Sequence, residues 1–168
     1  MQDEMMDDVI SSMPDVDFES EAVPMLLVPK GKYKGVVAST CFNNKINAMV
    51  ISSTLVDNDD RFASDSATPV DGFQLDFFGW FPKPGDELKQ AKTKQKMNLR
   101  QQKITNLKEI FASFGIVINK TSDIQEKVLT NCEMLGKEVM LDVDIEVYKG
   151  KPQNKVNFIN PFSQPDIT

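Results

Sequence analysis

Residues 138–148 form the segment EVMLDVDIEVY, in which valine, leucine or isoleucine occupies every second position and three acids lie between them. Successive side chains of a strand point to opposite faces, so this pattern predicts a strand with one face in a core and the other in water. Such one-sided strands are typical of antiparallel sheets, whereas the strands of parallel sheets are apolar on both faces. We therefore expect the chain to fold around an antiparallel sheet.

Four further segments complete the predicted sheet. We expect a first, bent strand over residues 25–28 and 33–40, a second over 46–56, a third over 73–81 and a last one over 155–160. Between the third strand and 138–148, apolar spacing predicts a helix that ends at Gly115 and a short helix that ends before Gly136. This order predicts a mainly β fold, a five-stranded OB-fold-like Greek-key barrel with a helical insertion between strands three and four. A mixed α+β sandwich fits the same order.

The size and composition of the chain suit one globular domain, with 168 residues and 40% hydrophobic content. No apolar run approaches the roughly 18 residues of a membrane span, and the first residues are acidic instead of basic. We therefore expect a cytoplasmic protein that does not act on a membrane. Cys41 and Cys132 match no zinc-ligand spacing, so we expect them to be reduced thiols in the core.

Histidine is absent, which removes the commonest general base and the commonest metal ligand. A metal-dependent nuclease using Asp57, Asp59 or Asp76 is a weak alternative, because residues 57–60 lack the glycine and the distant glutamate of a calcium loop. We interpret that stretch as a solvated acidic turn. We expect no enzymatic activity, no metal site and no cofactor.

The formal charge of −6 is divided unevenly along the chain. Residues 1–22 contain eight acids and no Lys or Arg, so they carry −8 and the rest of the chain carries +2. We expect residues 1–22 to be an acidic, disordered tail, residues 23–161 to be the folded domain and residues 162–168 to be a short C-terminal tail.

Positive charge is concentrated in residues 79–103, which hold seven of the nineteen Lys and Arg residues and follow the only tryptophan. On the predicted third strand, Phe78 and Trp80 share the side that faces away from the core. Exposed rings stack on nucleobases and cations follow phosphates, so this combination indicates a site for single-stranded nucleic acid. In the other interpretation, residues 82–85 cover both rings and the lysines form an ordinary soluble surface. The predicted DNA-binding residues are Phe78, Trp80, Lys83, Lys89, Lys92, Lys94, Lys96, Arg100, Lys103, Lys45, Lys32, Lys34, Tyr148, Lys149, Lys151 and Lys155.

Three stretches, VPKGKYKGVV at 28–37, NLKEIFASFGI at 106–116 and LGKEVMLDVDIEVYKGKPQNKVNFI at 135–159, carry a family resemblance. Across residues 24–160 the chain resembles the small OB-fold single-stranded DNA-binding proteins of bacteriophages. The resemblance implies a non-catalytic viral protein that coats and protects single strands during phage DNA replication, recombination or repair in a bacterial host. Such proteins carry an acidic C-terminal tail, but here residues 159–168 contain Asp166 as their only acid. We expect residues 1–22 to replace that tail as the contact for replication or recombination enzymes.

Two functional hypotheses follow from these features. The first is the single-stranded DNA-binding protein, with RNA as an open alternative ligand. The second is a protein-interaction or virion structural module that uses the same barrel, in which the lysine-rich segment contacts acidic proteins and both rings are buried. The exposure of Phe78 and Trp80 distinguishes the two hypotheses.

Overall fold

A five-stranded antiparallel sheet organises residues 12–163, the part of the chain that the computed structural model describes. The strands are β1 (Gly31–Asn43), β2 (Ala48–Leu55), β3 (Gln74–Trp80), β4 (Glu138–Tyr148) and β5 (Lys151–Pro161). Their order in the sheet is β3-β2-β1-β4-β5. The two edge strands run in the same direction, and Cα atoms of β3 and β5 come within 8 Å of each other. The sheet is therefore curled towards a barrel, and the prediction of a mainly β fold is confirmed.

Strand β4 has the predicted bounds, whereas β5 begins four residues earlier than predicted. The predicted turn of residues 149–154 is reduced to Lys149 and Gly150, which both have positive φ, 50° and 77°. Two such residues form the tight turn that matches the twist of a hairpin, so pairing resumes at Lys151. Pro152 is tolerated in β5 because an edge strand pairs on one side only.

The predicted first half of β1 is wrong. Residues 25–28 lie outside the sheet, and the side chain of Asn154 holds this segment through both backbone groups of Val28, at 2.9 and 2.7 Å. Leu27 exchanges two further hydrogen bonds with Ser64. The apolar residues 25–28 are therefore held at the edge of the sheet by hydrogen bonds with the side chains of Asn154 and Ser64, and strand β1 starts only at Gly31.

The helical segments are short apart from one. They are α1 (Phe18–Glu21), a 3₁₀ turn (Asp86–Leu88), α2 (Leu99–Ser113) and α3 (Thr121–Asp123), which continues as a π-helical stretch (Ile124–Thr130). Asn98 caps the start of α2: its side chain accepts from the backbone N–H of Gln101, while the Gln101 side chain accepts from the backbone N–H of Asn98. This reciprocal cap fixes the start of α2, so residues 89–96 are not helical. Within residues 12–163, no helix has the length and apolar character needed to cross a bilayer.

The core lies inside the curved sheet and is covered at one side by α2 and the π-helical stretch. It contains Tyr33, Ile51 and Leu141 from the strands, together with Phe111 and Val128 from the helical segments. The prediction that the cysteines are core residues is wrong, because Cys41 and Cys132 are both exposed, although both are free thiols. Cys132 lies after the last turn of the π-helical stretch, where the apolar spacing no longer corresponds to a buried face.

The predicted tails lie partly outside the described residues: this applies to residues 1–11 of the acidic tail and to residues 164–168 of the C-terminal tail. Within the described part of the acidic segment, α1 forms one turn whose first backbone N–H groups are capped by Asp17, with donors at 3.1 and 3.2 Å. At the other terminus, Phe162 donates its backbone N–H to Glu138 and so extends the pairing of β4 with β5.

Candidate functional site

Strand β3 presents two aromatic rings on its outer face. Its side chains alternate strictly between exposed and buried, so Phe78 and Trp80 point outwards on either side of Gly79. Phe78 is 39% exposed and Trp80 is 45% exposed, and their rings stack with centroids 5.8 Å apart and planes 23° apart. Residues 82–85 therefore do not cover these rings. We call Phe78 and Trp80 the ring pair.

Small uncharged residues lie beside the ring pair on the neighbouring strand. In register, Ala48 pairs with Trp80 and Val50 pairs with Phe78, and both β2 side chains are buried although they belong to the outer face. The next pair along the same face is Ser52 and Asp76, whose side chains are joined by a hydrogen bond from the hydroxyl to the carboxylate. The outer face thus offers two rings followed by one acceptor group.

The support of the ring pair is a close contact between β3 and α2. A Cβ atom built on Gly79 would lie 2.8 Å from Cδ2 of Leu107, a distance that real Cβ atoms do not reach. Leu107 is buried on α2, so the helix packs directly behind the strand at the position between the two rings. A side chain at position 79 would displace the Leu107 methyl group, so glycine allows α2 to pack closely on β3 at this point.

The turn between β1 and β2 lies beside the exit of β3. Asn47 accepts from the backbone N–H of Phe81 at 2.9 Å, and its side-chain amide donates to the carbonyl of Pro82 at 2.9 Å. The same turn carries the exposed Lys45. These bonds bring Lys45, Trp80 and the start of the lysine-rich segment to one end of the sheet.

A nearly buried ion pair anchors the lysine-rich segment to α2. Asp86 Oδ2 accepts from Lys103 Nζ at 2.7 Å and from the backbone N–H of Lys83 at 2.7 Å, and the Asp86 side chain is only 3% exposed. The hydrogen bond from Lys103 holds the pKa of the Asp86 carboxyl below its usual value. Lys103 is thus engaged by a carboxylate, which gives it an anchoring position within the predicted site.

The next part of the lysine-rich segment is a loop whose two ends are joined by backbone hydrogen bonds. Ala91 donates to Met97, Leu99 donates to Lys89, and Gln90 pairs with Asn98 as an isolated antiparallel bridge. We call residues 90–98 the lysine loop. Its tip consists of five exposed residues in which lysine alternates with a polar uncharged side chain: Lys92, Thr93, Lys94, Gln95 and Lys96.

Two adjoining shallow depressions extend from residues 82–84, just after β3, to the lysine loop. The first lies next to the end of β3 and is lined by Pro82, Lys83, Pro84, Glu87 and Arg100. The second adjoins it at Glu87 and includes Lys89 and Lys96. Both depressions therefore lie in the predicted basic segment and carry more cationic than anionic side chains.

Most cations at this end of the sheet have no acidic partner. Among residues 12–163, no carboxylate lies within 4.0 Å of the charged groups of Lys45, Lys83, Lys89, Lys92, Lys94, Lys96 or Arg100. Their charge is therefore open to a mobile anion. The described residues also contain no group of three or more acids or cysteines able to hold a metal ion.

The other predicted residues lie at the far end of β1 and are not brought together with the ring pair. Lys34 is partly buried between Asp57 and Glu138, at 3.3 and 3.5 Å. Lys32 precedes it on β1 and is exposed. The β4–β5 turn extends beyond the last pair of β4 with β1, which is Gly31 with Val143. The remaining four residues belong to this hairpin: Tyr148 ends β4, Lys149 lies in the turn with its ammonium 5.3 Å from the Tyr148 ring, and β5 carries Lys151 and Lys155, the latter paired with Glu146 at 3.7 Å.

Two residues of this region were not singled out as site residues from the sequence. Asn47 and Asp86 shape the site through backbone hydrogen bonds and an ion pair, and both have partners more than ten residues away. No protein-family model matches the chain, and no curated protein has significant sequence similarity to it.

Proposed function

We propose that this chain is a non-catalytic single-stranded DNA-binding protein that coats and protects exposed strands during phage DNA replication, recombination or repair. The observation that carries the proposal is the exposed, stacked ring pair, followed along the chain by a run of Lys and Arg residues of which, within residues 12–163, Lys103 alone has a carboxylate within 4.0 Å. Any base offers a flat face to an exposed ring, and stacking on protein rings contributes about 1–3 kcal/mol per base. The cations supply the attraction for phosphates that such a site requires.

The order of elements supports an OB-fold for this chain. In the OB-fold, oligonucleotides bind the face of strands two and three and the loops between strands one and two and between four and five. Here the ring pair lies on β3 beside β2, and the β1–β2 turn is bonded to the exit of β3. Helix α2 follows β3 in the chain, and β3 approaches β5 at the closing edge of the sheet. These features favour an OB-type barrel.

The path of the strand follows from the distribution of charge. After Trp80 the chain leads to the depression lined by Lys83 and Arg100, whereas before Phe78 the same face of β3 carries the Asp76 carboxylate. Phosphates are attracted to the cationic end and repelled from the acidic end. We therefore place the bases on the ring pair and the sugar–phosphate backbone towards the two depressions and the lysine loop.

The alternative of a protein-interaction or virion module placed both rings in the interior. The exposed fractions of Phe78 and Trp80 do not favour that alternative. A soluble lysine-rich surface also commonly interleaves acids with lysines, whereas the tip of the lysine loop contains no acid.

The test is a fluorescence titration, because Trp80 is the only tryptophan and its emission reports on the ring pair directly. Adding a 15-nucleotide oligo(dT) should quench that emission, and a duplex of equal length should bind more weakly. About five to seven phosphate contacts predict a log–log salt slope of about −3 to −5, so affinity should fall about 60- to 1,000-fold between 50 and 200 mM NaCl. A flat salt response, or equal affinity for duplex, would contradict the proposal.

A further inference from the structure

The outer face of β3 continues past the ring pair with a hydrogen-bonding group. Asp76 is exposed two residues before Phe78 on the same face, and the Ser52 hydroxyl donates to its Oδ1. Within residues 12–163, no Lys or Arg group lies within 4.0 Å of this carboxylate. One oxygen is therefore oriented by Ser52, and Oδ2 has no ion-pair partner.

A carboxylate repels a phosphate, so a direct contact between Asp76 and a nucleic acid would involve a hydrogen-bond donor of the nucleic acid. The donors that a single strand offers to an acceptor are the N–H groups of its base edges. Because the two rings stack on each other, a base can stack only on the outer face of either ring. The outer face of Phe78 is on the side of Asp76, the preceding exposed residue on the same face of β3, so a base stacked on Phe78 has its edge next to Asp76.

Cytosine and thymine differ at C4, at N3, which accepts in cytosine and donates in thymine, and at C5, where thymine has a methyl group; the C4 substituent is the exocyclic hydrogen-bonding group that distinguishes them. Cytosine has an amino group at C4 that donates hydrogen bonds, whereas thymine has a carbonyl oxygen that accepts them. The amino group can donate to a carboxylate oxygen, and the carbonyl oxygen is repelled by it. The pyrimidine rings of cytosine and thymine have the same size, so stacking on Phe78 and Trp80 does not by itself discriminate between these two bases.

We propose that Asp76, oriented by Ser52, is a specificity-determining residue that favours cytosine over thymine at the position next to the ring pair. This inference rests on the proposed single-strand binding and adds base selectivity to it. Trp80 and Phe78 hold any base, whereas Asp76 selects among them. Adenine and guanine also carry amino donors, whereas the imino N–H of thymine and uracil lies between two carbonyl oxygens that the carboxylate repels, so thymine and uracil are the disfavoured bases.

The test compares two labelled 15-nucleotide strands, oligo(dT) and oligo(dC), with the wild-type protein and with Asp76→Asn. The asparagine amide has the same shape but can donate to the thymine carbonyl, so the affinity ratio of dC to dT should fall by at least about fivefold in Asp76→Asn. Ser52→Ala keeps the charge and frees the carboxylate, so it should lower the same ratio by a smaller factor. Asp59→Asn, which removes one exposed acid from a distant loop, should leave the ratio unchanged.

The outcomes separate the two proposals. If Asp76→Asn binds dT and dC more tightly by the same factor, the carboxylate acts only by repelling the strand, and base selection by Asp76 is refuted. An unchanged ratio in Asp76→Asn with a wild-type melting curve refutes it as well. If neither strand binds the wild-type protein, the proposed function and this inference both fail.

Discussion

Replacing Trp80 by alanine removes the larger half of the ring pair and leaves the cations in place. Stacking contributes about 1–3 kcal/mol per base in alanine substitutions, which corresponds to about 5- to 150-fold in affinity. Since 45% of Trp80 is exposed and one ring face is already next to Phe78, we expect a single base on Trp80 and a loss in the lower half of this range, about 5- to 30-fold. The loss should be similar for every base composition, because each base has a flat face.

The effect on the fold should be small. Trp80 points outwards at the end of β3, and its backbone pairing with Ala48 does not depend on the indole. An aromatic pair stabilises a protein by about 0.5–1.5 kcal/mol, so the free energy of unfolding should fall by about that amount. A thermal melt of the variant should therefore remain close to that of the wild type.

Fluorescence anisotropy of a labelled strand at 50 mM NaCl measures the affinity without relying on Trp80 itself. The matched control is Phe62→Ala, because Phe62 is a 43% exposed ring in the loop between the end of β2 and the start of β3, whereas Trp80 lies at the end of β3. The reasoning is refuted if Trp80→Ala binds within twofold of the wild type, or if Phe62→Ala loses as much affinity. A loss restricted to one base composition would refute the role of Trp80 as a general stacking surface.

Three further outcomes are expected. The hydrogen bond from Lys103 lowers the pKa of Asp86, so the Asp86 carboxylate stabilises the fold above about pH 3.9 and loses this contribution as the pH falls through its lower folded-state pKa. The difference in melting temperature between wild type and Asp86→Asn should therefore shrink between pH 5 and 3. A constant difference would contradict the ion pair. Replacing the three tip lysines of the lysine loop by glutamine should reduce the magnitude of the salt slope by about 2 with an unchanged melting temperature, whereas an unchanged slope would exclude the loop from phosphate binding. Deleting residues 2–22 should tighten binding at low salt and less so at high salt if the acidic segment competes for the cations, and equal affinity at both would remove that role.

The strands could be predicted where a local pattern carries the information. The alternation in 138–148 defines both the bounds and the buried face of β4, because one-sided burial demands a period of two. The start of β5 could not be predicted, because Lys149 adopts a left-handed conformation that a non-glycine residue rarely takes. The start of α2 was recognisable in principle, since Asn98 and Gln101 have capping-box spacing, but the long polar stretch before it obscured the boundary.

The candidate site shows the same division. The outward direction of Phe78 and Trp80 follows from parity along β3, and the structure decides that they are not covered. The grouping of cations could not be predicted, because it depends on contacts between distant parts of the chain. In the sequence, Lys103 cannot be distinguished from the neighbouring lysines, but in the structure it is paired with Asp86. In the same way, Lys34 is paired with Asp57. Local sequence contains the charge of a lysine but not its tertiary partner.

The contact between Gly79 and Leu107 links two parts of the site before any ligand arrives. Helix α2 packs at Gly79 on the face of β3 opposite the two rings. The same helix carries Arg100 and Lys103, and Lys103 binds Asp86. The distance from the rings to these cations is therefore set by folding and does not have to be ordered on binding. A preorganised site loses little conformational entropy when it takes up a ligand. The flexible partner in this encounter is the nucleic acid, which must extend its own backbone to match a spacing that the protein imposes.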